Sequence, residues 1–287
     1  MKAEDVRKVG VVGCGVMGAG IVEVCARAGL DVLYVEAGPD LVEAGRNRME
    51  ASTRRAVERG KLTEQQRTEE LGRIAGTTTI DDLADRDLVI EAATEHPDIK
   101  REVFRRLDEI VGPDVVVASN TSSIPIVDLA AATKRPEEVV GLHFFNPVPV
   151  MGLIEVVKAI TTSDETVEFA RAFGAVLGKT TVLSKDRAGF IVNMLLIPYL
   201  NGAVRMLDEG FATREDIDAA VNLGLGHPMG PLQLLDLIGL DTALFVANVL
   251  FDEFKEPLFA PPPLLKRMVT AGRLGRKTGR GFYEYGS

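Results

Sequence analysis

Three glycines near the start of the chain have the spacing that holds a dinucleotide. Gly13, Gly15 and Gly18 form a G-x-G-x-x-G motif directly after the apolar run at residues 9–12. The first glycine permits a tight turn, the second lets the backbone approach a pyrophosphate, and the third lets the next helix pack close to the strand. Free N–H groups at the start of that helix would then face the phosphates. The alternative is a glycine-rich turn in another kind of α/β protein, which the flanking strand and helix patterns disfavour.

An acidic side chain, Glu36, follows where a second strand is expected to end. In a dinucleotide-binding βαβ unit, a carboxylate at this position accepts hydrogen bonds from the ribose hydroxyls of the adenosine. A 2′-phosphate would meet this negative charge, and residues 37–39 supply no arginine to pair with it. The sequence therefore predicts NAD, rather than NADP, as the cofactor. The alternative is a strand-end carboxylate that is simply exposed to water.

A histidine and a glutamate lie in two consecutive strand candidates. His143 ends an apolar strand before a turn marked by Asn146 and Pro147, and Glu155 lies in the next strand. If the two strands pair, the carboxylate would keep one imidazole nitrogen protonated and leave the other as a base. Spacing alone favours a different interpretation, in which the histidine is a satisfied core residue and the glutamate lies on the surface.

Composition argues against several other classes of protein. Acidic residues number 42 against 33 basic ones, for a net charge of −9, whereas nucleic-acid-binding proteins normally carry a basic excess. Two cysteines and three dispersed histidines predict neither a disulfide framework nor a metal site. Ser122 and Ser123 lie outside a G-x-S-x-G elbow, so serine hydrolase chemistry is unsupported. We find no bilayer-spanning, signal or transit segment, and we expect a cytoplasmic protein with no membrane partner.

The elements that must position these residues divide into two regions. As far as residue 186, short β-branched runs alternate with helical segments, which is typical of an α/β domain. Beyond it we predict four helices, at residues 189–207, 214–223, 231–250 and 263–271. The sequence thus predicts a Rossmann-type domain at residues 1–186, followed by an all-α domain at residues 187–287.

Inside the first region, a polar and arginine-rich helical pair is predicted at residues 39–71, hinged near Gly60 and Lys61. It is an insertion between strands of the α/β domain. The other predicted helices lie at residues 99–110 and 164–177. The remaining predicted strands lie at residues 32–35, 88–90, 115–118, 139–142, 153–157 and 180–183.

Several ordered motifs resemble the short-chain L-3-hydroxyacyl-CoA dehydrogenase family, and its bacterial 3-hydroxybutyryl-CoA dehydrogenases in particular. The resemblance covers nearly the whole chain. Its motifs are GCGVMGAGI at residues 13–21, EAATE at 91–95, SNTSS at 119–123, HFFNP at 143–147, GFIVN at 189–193, PMGP at 228–231 and GRKTG at 275–279. The resemblance implies a Rossmann-type NAD domain, a helical C-terminal domain and an active site in the cleft between them.

The resemblance also implies a reaction, the reversible oxidation of an (S)-3-hydroxyacyl-CoA, 3-hydroxybutyryl-CoA being expected, to the 3-ketoacyl-CoA. It reverses the interpretation from spacing: His143 matches the general base and acid of the family, and Glu155 matches its carboxylate partner. Ser122 and Asn193 match catalytic positions that bind the substrate near its C3 oxygen. Such a reaction would place the protein in fatty-acid and lipid metabolism.

Further positions match cofactor- and substrate-binding residues of the family. The resemblance also implies a homodimer built on the C-terminal domain. The matching cofactor-side residues are Glu95, Lys100, Asn146 and Lys277. CoA would lie along the helical pair, where candidates for holding its phosphates are Arg54, Arg55 and Lys61. The alternative for each of these three cations is a solvated helix face.

Two other functions stay open at this point. One is a dehydrogenase of a free hydroxy acid such as L-gulonate, which could keep His143, Glu155 and Asn193 without using CoA. The other is a non-catalytic NAD-binding structural protein, which the presence of all three residues disfavours. Departures from the family pattern leave the acyl chain length open. They are His96, Gly152, Ala188 and Met194.

Overall fold

The computed structural model describes residues 2–286, which form two compact units, one ending at Arg187 and the other starting at Ala188. The N-terminal unit is built on an eight-stranded sheet in the order β3-β2-β1-β4-β5-β6-β7-β8. Its strands are β1 Lys8–Val12, β2 Asp31–Val35, β3 Ile74–Thr77, β4 Leu88–Glu91, β5 Val116–Ser119, β6 Val139–Phe144, β7 Leu153–Lys158 and β8 Thr180–Lys185.

Helices cover the sheet of the N-terminal unit. They are α1 Val16–Arg27, α2 Pro39–Glu58, α3 Glu64–Gly72, α4 Pro97–Ile110, α5 Ile126–Ala130 and α6 Asp164–Val176. The predicted helical pair is confirmed as α2 and α3. Thr63 begins α3 with a capping box, in which its hydroxyl accepts from the N–H of Gln66 and the Gln66 side chain accepts from the N–H of Thr63. Two elements were missed: α5, and the edge strand β3, which buries only Ile74.

Strand direction brings the motif residues to one edge of the sheet. The six strands from β3 to β6 are parallel, so their carboxyl ends meet at the same edge. The strand order runs outward from β1 in both directions, with β2 on one side and β4 on the other. This reversal is the switch point where such sheets bind ligands. Strand β7 runs antiparallel to β6 and places Glu155 directly opposite His143.

The C-terminal unit is helical over its described residues, with isolated bridges near the tail. Its helices are α7 Val192–Asp208, α8 Arg214–Leu225, α9 Pro231–Ile238, α10 Leu240–Phe254 and α11 Pro263–Thr270. The prediction of one helix over residues 231–250 is wrong, because the chain bends by 97° between α9 and α10. Gly239 has a φ of +99°, a conformation that glycine adopts without strain, and it separates the two helices. The fold prediction as a whole, a Rossmann-type unit with an inserted helical pair and then an all-α unit, is confirmed.

Two buried aspartates hold the C-terminal unit together. Asp218 accepts the N–H groups of Leu232 and Gln233 at the start of α9, at 2.8 and 3.1 Å. Asp236 accepts the N–H groups of Phe282 and Tyr283 in the tail, at 2.8 and 2.9 Å. In residues 2–286, no single helix is long and apolar enough to cross a membrane, although the bent pair α9 and α10 passes that test on length and composition together.

Candidate active site

The glycine loop after β1 has the geometry of a phosphate cradle. Gly13 has a φ of +89° and donates its N–H to the carbonyl of Val35 at 2.9 Å. A Cβ at Gly13 would lie 2.7 Å from Ala93 Cα, and one at Gly18 would lie 1.9 Å from Gly13 O, so both close approaches require glycine. Gly15 has no neighbouring atom on its Cβ side, which leaves space beside the start of α1. These residues fit a bound pyrophosphate.

Glu36 and an arginine flank this loop. Glu36 Oε1 accepts the N–H of Cys14 at 2.5 Å, while Oε2 has only a long contact, 3.4 Å, with the N–H of Ala37. Arg48 of α2 donates from Nη1 to the carbonyl of Cys14 at 3.2 Å. The expectation that no arginine lies near Glu36 is therefore wrong. Arg48 comes twelve residues after Glu36, and only the packing of α2 against α1 brings it back to the loop.

His143 and Glu155 form a buried pair across β6 and β7. His143 Nδ1 lies 2.7 Å from Glu155 Oε2, and Glu155 is 0% exposed, so the surface position that spacing favoured for it is wrong. A carboxylate can only accept from Nδ1, which leaves the lone pair of the neutral ring on Nε2. Ser122 Oγ lies 3.1 Å from this Nε2, and the ring of Phe145 packs edge-on at 4.7 Å between centroids.

Glu95 organises the segment that carries Ser122. Its Oε1 accepts the hydroxyl of Thr121 at 2.5 Å, the N–H of Ser122 at 2.9 Å, and both the N–H and the hydroxyl of Ser123, at 3.1 and 2.9 Å. Burial by itself would raise the pKa of Glu95. The charge of Lys100 and these hydrogen bonds outweigh burial and hold that pKa below its ordinary value. Glu95 is therefore ionised at neutral pH.

Lys100 lies beneath this segment, enclosed by two carboxylates. Its side chain is 1% exposed, and its Nζ lies 2.6 Å from Glu91 Oε1 and 3.4 Å from Glu95 Oε2. Glu91 is fully buried at the end of β4, and the sequence analysis assigned it no role. Its place at the carboxyl end of an apolar strand is the signal that could have identified it, because ligand sites of parallel sheets lie at that edge.

Asn120 is a second polar residue that the sequence analysis missed. Its Oδ1 accepts the N–H of Phe144 at 2.9 Å, and its own N–H donates to the carbonyl of Glu91 at 2.8 Å. These bonds tie the carboxyl ends of β4, β5 and β6 together beside His143. Asn146 of the HFFNP motif, which was predicted to lie on the cofactor side, is exposed in the loop after β6.

The predicted CoA-binding residues, and the predicted site residues of the C-terminal unit, are not part of this cluster. The side chains of Arg54, Arg55 and Lys61 are exposed and form no ion pair or hydrogen bond with any described residue. In the C-terminal unit, Asn193 lies in the first turn of α7. Lys277 lies in the same unit, with Nζ at 2.6 Å from each oxygen of Asp241. Burial would raise the pKa of Asp241, but Lys277 and backbone hydrogen bonds from Thr242 and Asp241 together outweigh burial and lower that pKa.

Taken together, the parallel sheet, the glycine cradle and the buried His–Glu pair at one edge define a dinucleotide-dependent oxidoreductase. The cradle supplies the place for the cofactor, and the imidazole supplies a proton acceptor at the same sheet edge. Among residues 2–286, no group of three or more His, Cys, Asp and Glu side chains is placed to share a metal ion.

Comparison with known proteins identifies the family. The NAD-binding domain of 3-hydroxyacyl-CoA dehydrogenases matches residues 8–187, and the C-terminal domain of the same family matches residues 189–285. A 3-hydroxybutyryl-CoA dehydrogenase from Mycobacterium tuberculosis is 55% identical over 99% of this chain and 100% of its own length. The chain belongs to the 3-hydroxyacyl-CoA dehydrogenase family, its cofactor is NAD, and the resemblance drawn from the motifs is confirmed.

Solved structures agree with this assignment. The crystal structure of FadB2 from M. tuberculosis has a TM-score of 0.96 at 55% identity, covering 98% of this chain and 99% of that one. The (S)-3-hydroxybutyryl-CoA dehydrogenase PaaH1 from Ralstonia eutropha has a TM-score of 0.93 at 47% identity, covering 99% of this chain and 100% of that one.

Proposed function

We propose that the protein catalyses the NAD-dependent, reversible oxidation of (S)-3-hydroxybutyryl-CoA to acetoacetyl-CoA. The observation that carries this proposal is the hydrogen-bonded chain from Glu155 through His143 to Ser122, at the same sheet edge as the glycine cradle. The names of relatives that match over the full chain support the choice of substrate.

His143 is the group that moves the proton. When bound, NAD accepts the hydride that leaves C3 of the substrate. The C3 hydroxyl loses its proton to His143 Nε2, which carries the lone pair because Nδ1 faces Glu155. Glu155 orients the ring and stabilises the imidazolium that results. In the reverse direction, the imidazolium returns the proton to the C3 oxygen as the hydride arrives at C3.

Ser122 and Asn193 are proposed to hold the C3 oxygen of the substrate. Ser122 Oγ already lies 3.1 Å from Nε2, so a substrate oxygen that reaches the histidine also meets this hydroxyl. Asn193 is assigned by its match to the family motif. Glu95, Lys100, Asn146 and Lys277 keep their proposed place on the cofactor side, and Glu95 also supports the segment that carries Ser122.

CoA recognition is assigned to the helical pair. Arg54 and Arg55 of α2 and Lys61 after it are exposed cations without a carboxylate partner among the described residues, so their charge is available to phosphate groups. These three side chains are our candidates for the CoA phosphates. The acidic net charge of the whole chain does not oppose this, because binding depends on the local surface.

A homodimer through the C-terminal unit is also proposed. Large apolar side chains are exposed there, with Leu195 of α7 at 72%, Phe211 at 75% and Leu223 of α8 at 84%. A dimer interface would remove such apolar side chains from water, which supports the proposal. Light scattering at micromolar concentration tests this, and the mass of a single chain would contradict it.

Two buried free thiols, Cys14 and Cys25, support a reducing compartment, which we propose is the cytoplasm.

The substrate assignment is tested by comparing acceptors at saturating NADH. Acetoacetyl-CoA should be reduced with a far higher kcat/KM than free acetoacetate or dehydrogulonate. Preference for a free acid would favour the hydroxy-acid dehydrogenase instead, and no turnover with any acceptor would favour a non-catalytic NAD-binding protein. A rate series from C4 to C16 3-ketoacyl-CoA then measures the preferred chain length.

A further inference from the structure

A completely buried ion pair lies beneath the segment that carries Ser122. The Glu91 carboxylate accepts the N–H of Ala93 at 2.7 Å, Lys100 Nζ at 2.6 Å and the hydroxyl of Ser119 at 2.6 Å. Glu91 is 0% exposed, so it cannot touch a substrate or a cofactor directly. Any effect of Glu91 on the reaction must pass through its partners.

Two routes lead from Glu91 to Ser122. In the first, Ser119 donates to Glu91 and its Oγ accepts the N–H of Thr121 at 3.2 Å, one residue before Ser122. In the second, Lys100 joins Glu91 to Glu95, and Glu95 accepts the N–H of Ser122 at 2.9 Å. The pair therefore contacts the segment at residues 119–123 directly at Ser119 and is linked to Ser122 through Glu95.

Stability alone is a weak reason to bury these charges. Taking the Lys100 ammonium and the Glu91 carboxylate out of water is unfavourable, and apolar residues of similar volume often stabilise a core as well or better. What the cluster does supply is direction, because three donors from three different residues bind the two oxygens of one buried carboxylate. That arrangement sets where the Ser122 hydroxyl lies relative to His143 Nε2.

We propose that Glu91, acting with Lys100, is a positioning residue that holds Ser122 in place for proton transfer at His143. The proposal rests on the proposed function for its effect on the rate. It does not rest on it for the geometry, which is the hydrogen bond between Ser122 Oγ and His143 Nε2.

The kinetic test is a double-mutant cycle on acetoacetyl-CoA reduction. Glu91→Gln keeps the shape and removes the charge, and it should lower kcat about tenfold with little change in KM for either substrate, by loosening a geometry needed for the reaction. In a Ser122→Ala background, the same substitution should change kcat less than about twofold, because residues that act through one another are not additive.

A matched control separates positioning from general damage to the fold. Glu23 of α1 is also buried and ion-paired, with Arg27 of the same helix, but within residues 2–286 no hydrogen bond or ion pair connects it to the segment that carries Ser122. Glu23→Gln should lower the melting temperature without changing kcat. If Glu91→Gln behaves in the same way, or if its effect multiplies with that of Ser122→Ala, the proposal is wrong.

A spectroscopic readout does not depend on turnover. The chain has three histidines, so the ¹⁵N resonances of His143 can be assigned by comparison with His143→Gln. Glu91→Gln should move the Nε2 resonance toward its position in Ser122→Ala, since both lose the same hydrogen bond. An unmoved resonance would overturn the proposal even if the enzyme prefers another substrate. If the wild type is inactive but Glu91→Gln still moves the His143 Nε2 resonance, the positioning proposal stands and the proposed function is wrong.

A second variant covers the case in which Glu91→Gln does not fold. Ser119→Ala removes one donor to Glu91 and leaves the ion pair with Lys100 intact. It should also move the His143 Nε2 resonance and lower kcat, by a smaller factor and without additivity with Ser122→Ala. Full activity and an unmoved resonance in Ser119→Ala would contradict the first of the two routes.

Discussion

Buried carboxylates occur in both units of the molecule, but their partners differ. In the N-terminal unit, Glu91 faces Lys100 and a serine hydroxyl, and Glu155 faces the imidazole of His143. Among the described residues of the C-terminal unit, the donors to Asp218 and Asp236 are backbone N–H groups and tyrosine hydroxyls. The first set contacts the imidazole of His143 or side chains that lead to Ser122, whereas the second set contacts backbone N–H groups and tyrosine hydroxyls.

The aspartates of the C-terminal unit hold distant segments of the chain together through hydrogen bonds. A Cβ at Gly230 would lie 2.3 Å from Asp218 Cβ, and a Cβ at Gly281 would lie 1.9 Å from Asp236 Oδ1, so both glycines make room for an aspartate side chain. Burial, together with Asp218, raises the pKa of Tyr283, which keeps its hydroxyl a donor. The comparison teaches that the partner of a buried carboxylate, rather than its burial, distinguishes a chemical role from a structural one.

The largest effect should come from His143→Gln. The amide can neither accept the proton of the C3 hydroxyl in oxidation nor donate one to the C3 oxygen in reduction, so kcat for acetoacetyl-CoA reduction should fall by about 10²–10⁴-fold, the usual size of general acid–base catalysis. NADH affinity, measured by fluorescence titration, should change little, because His143 lies at β6 and not at the glycine loop. Retention of wild-type turnover would mean that another group moves the proton.

Glu155→Gln should be the next most damaging change. It removes the charge that stabilises the imidazolium but keeps the shape, so kcat should fall by about 10–100-fold, less than for His143→Gln. Reduction starts from the imidazolium. Because that form is now less stable, the pH above which the reduction rate declines should move to a lower value. A pH–rate profile tests this, and an unchanged profile with unchanged turnover would show that Glu155 only packs against the ring.

Asp236→Asn should reverse this pattern. It replaces one of the two acceptor oxygens with a donor that faces backbone N–H groups, so the free energy of unfolding should fall by about 2 kcal/mol. The shape of the pH–rate profile should stay the same. Urea unfolding alongside that profile tests this, with Asp252→Asn as the control, since Asp252 is exposed and pairs only with Lys255. A shifted pH–rate profile in Asp236→Asn would contradict the purely structural role of Asp236.

Glu36 is the intermediate case, since one oxygen holds a backbone N–H and the other is nearly unused. Wild type should favour NADH strongly over NADPH. Glu36→Ser should reduce that preference about tenfold, because charge repulsion disappears and Arg48 lies beside the same loop. Adding Arg48→Ala should abolish the gain with NADPH. Equal kcat/KM for the two cofactors in wild type would contradict the role of Glu36.

The smallest effect is expected at the two thiols. Burial raises the pKa of Cys14 to about 12, with Glu36 raising it further and Arg48 opposing, and burial also raises the pKa of Cys25 to about 12. The thiolate is the reactive form, so iodoacetamide at pH 8 should label neither residue in the folded protein and both in urea. Rapid labelling of native Cys14 would show that the glycine loop opens, and would weaken the account of the cradle.

Much of the fold could be predicted from local patterns. β-Branched runs marked seven of the eight strands, and the glycine spacing marked the cradle, because both depend on residues close together in the chain. Strand β3 escaped because it buries only one large apolar residue, Ile74. The bend at Gly239 escaped because the sequence around it is apolar on both sides, and only its positive φ separates the helices.

The sequence by itself determined the cofactor class, the order of the elements and, through family motifs, the candidate proton carrier His143. The tertiary structure alone decided that Glu155 is buried, on a strand that lies between β6 and β8 and opposite His143. It also decided that Arg48 returns to the glycine loop and that Glu91 meets Lys100 in the core. The physical reason is that burial and ion pairing depend on which distant segments pack together, whereas turns and periodicity depend on neighbours in the chain.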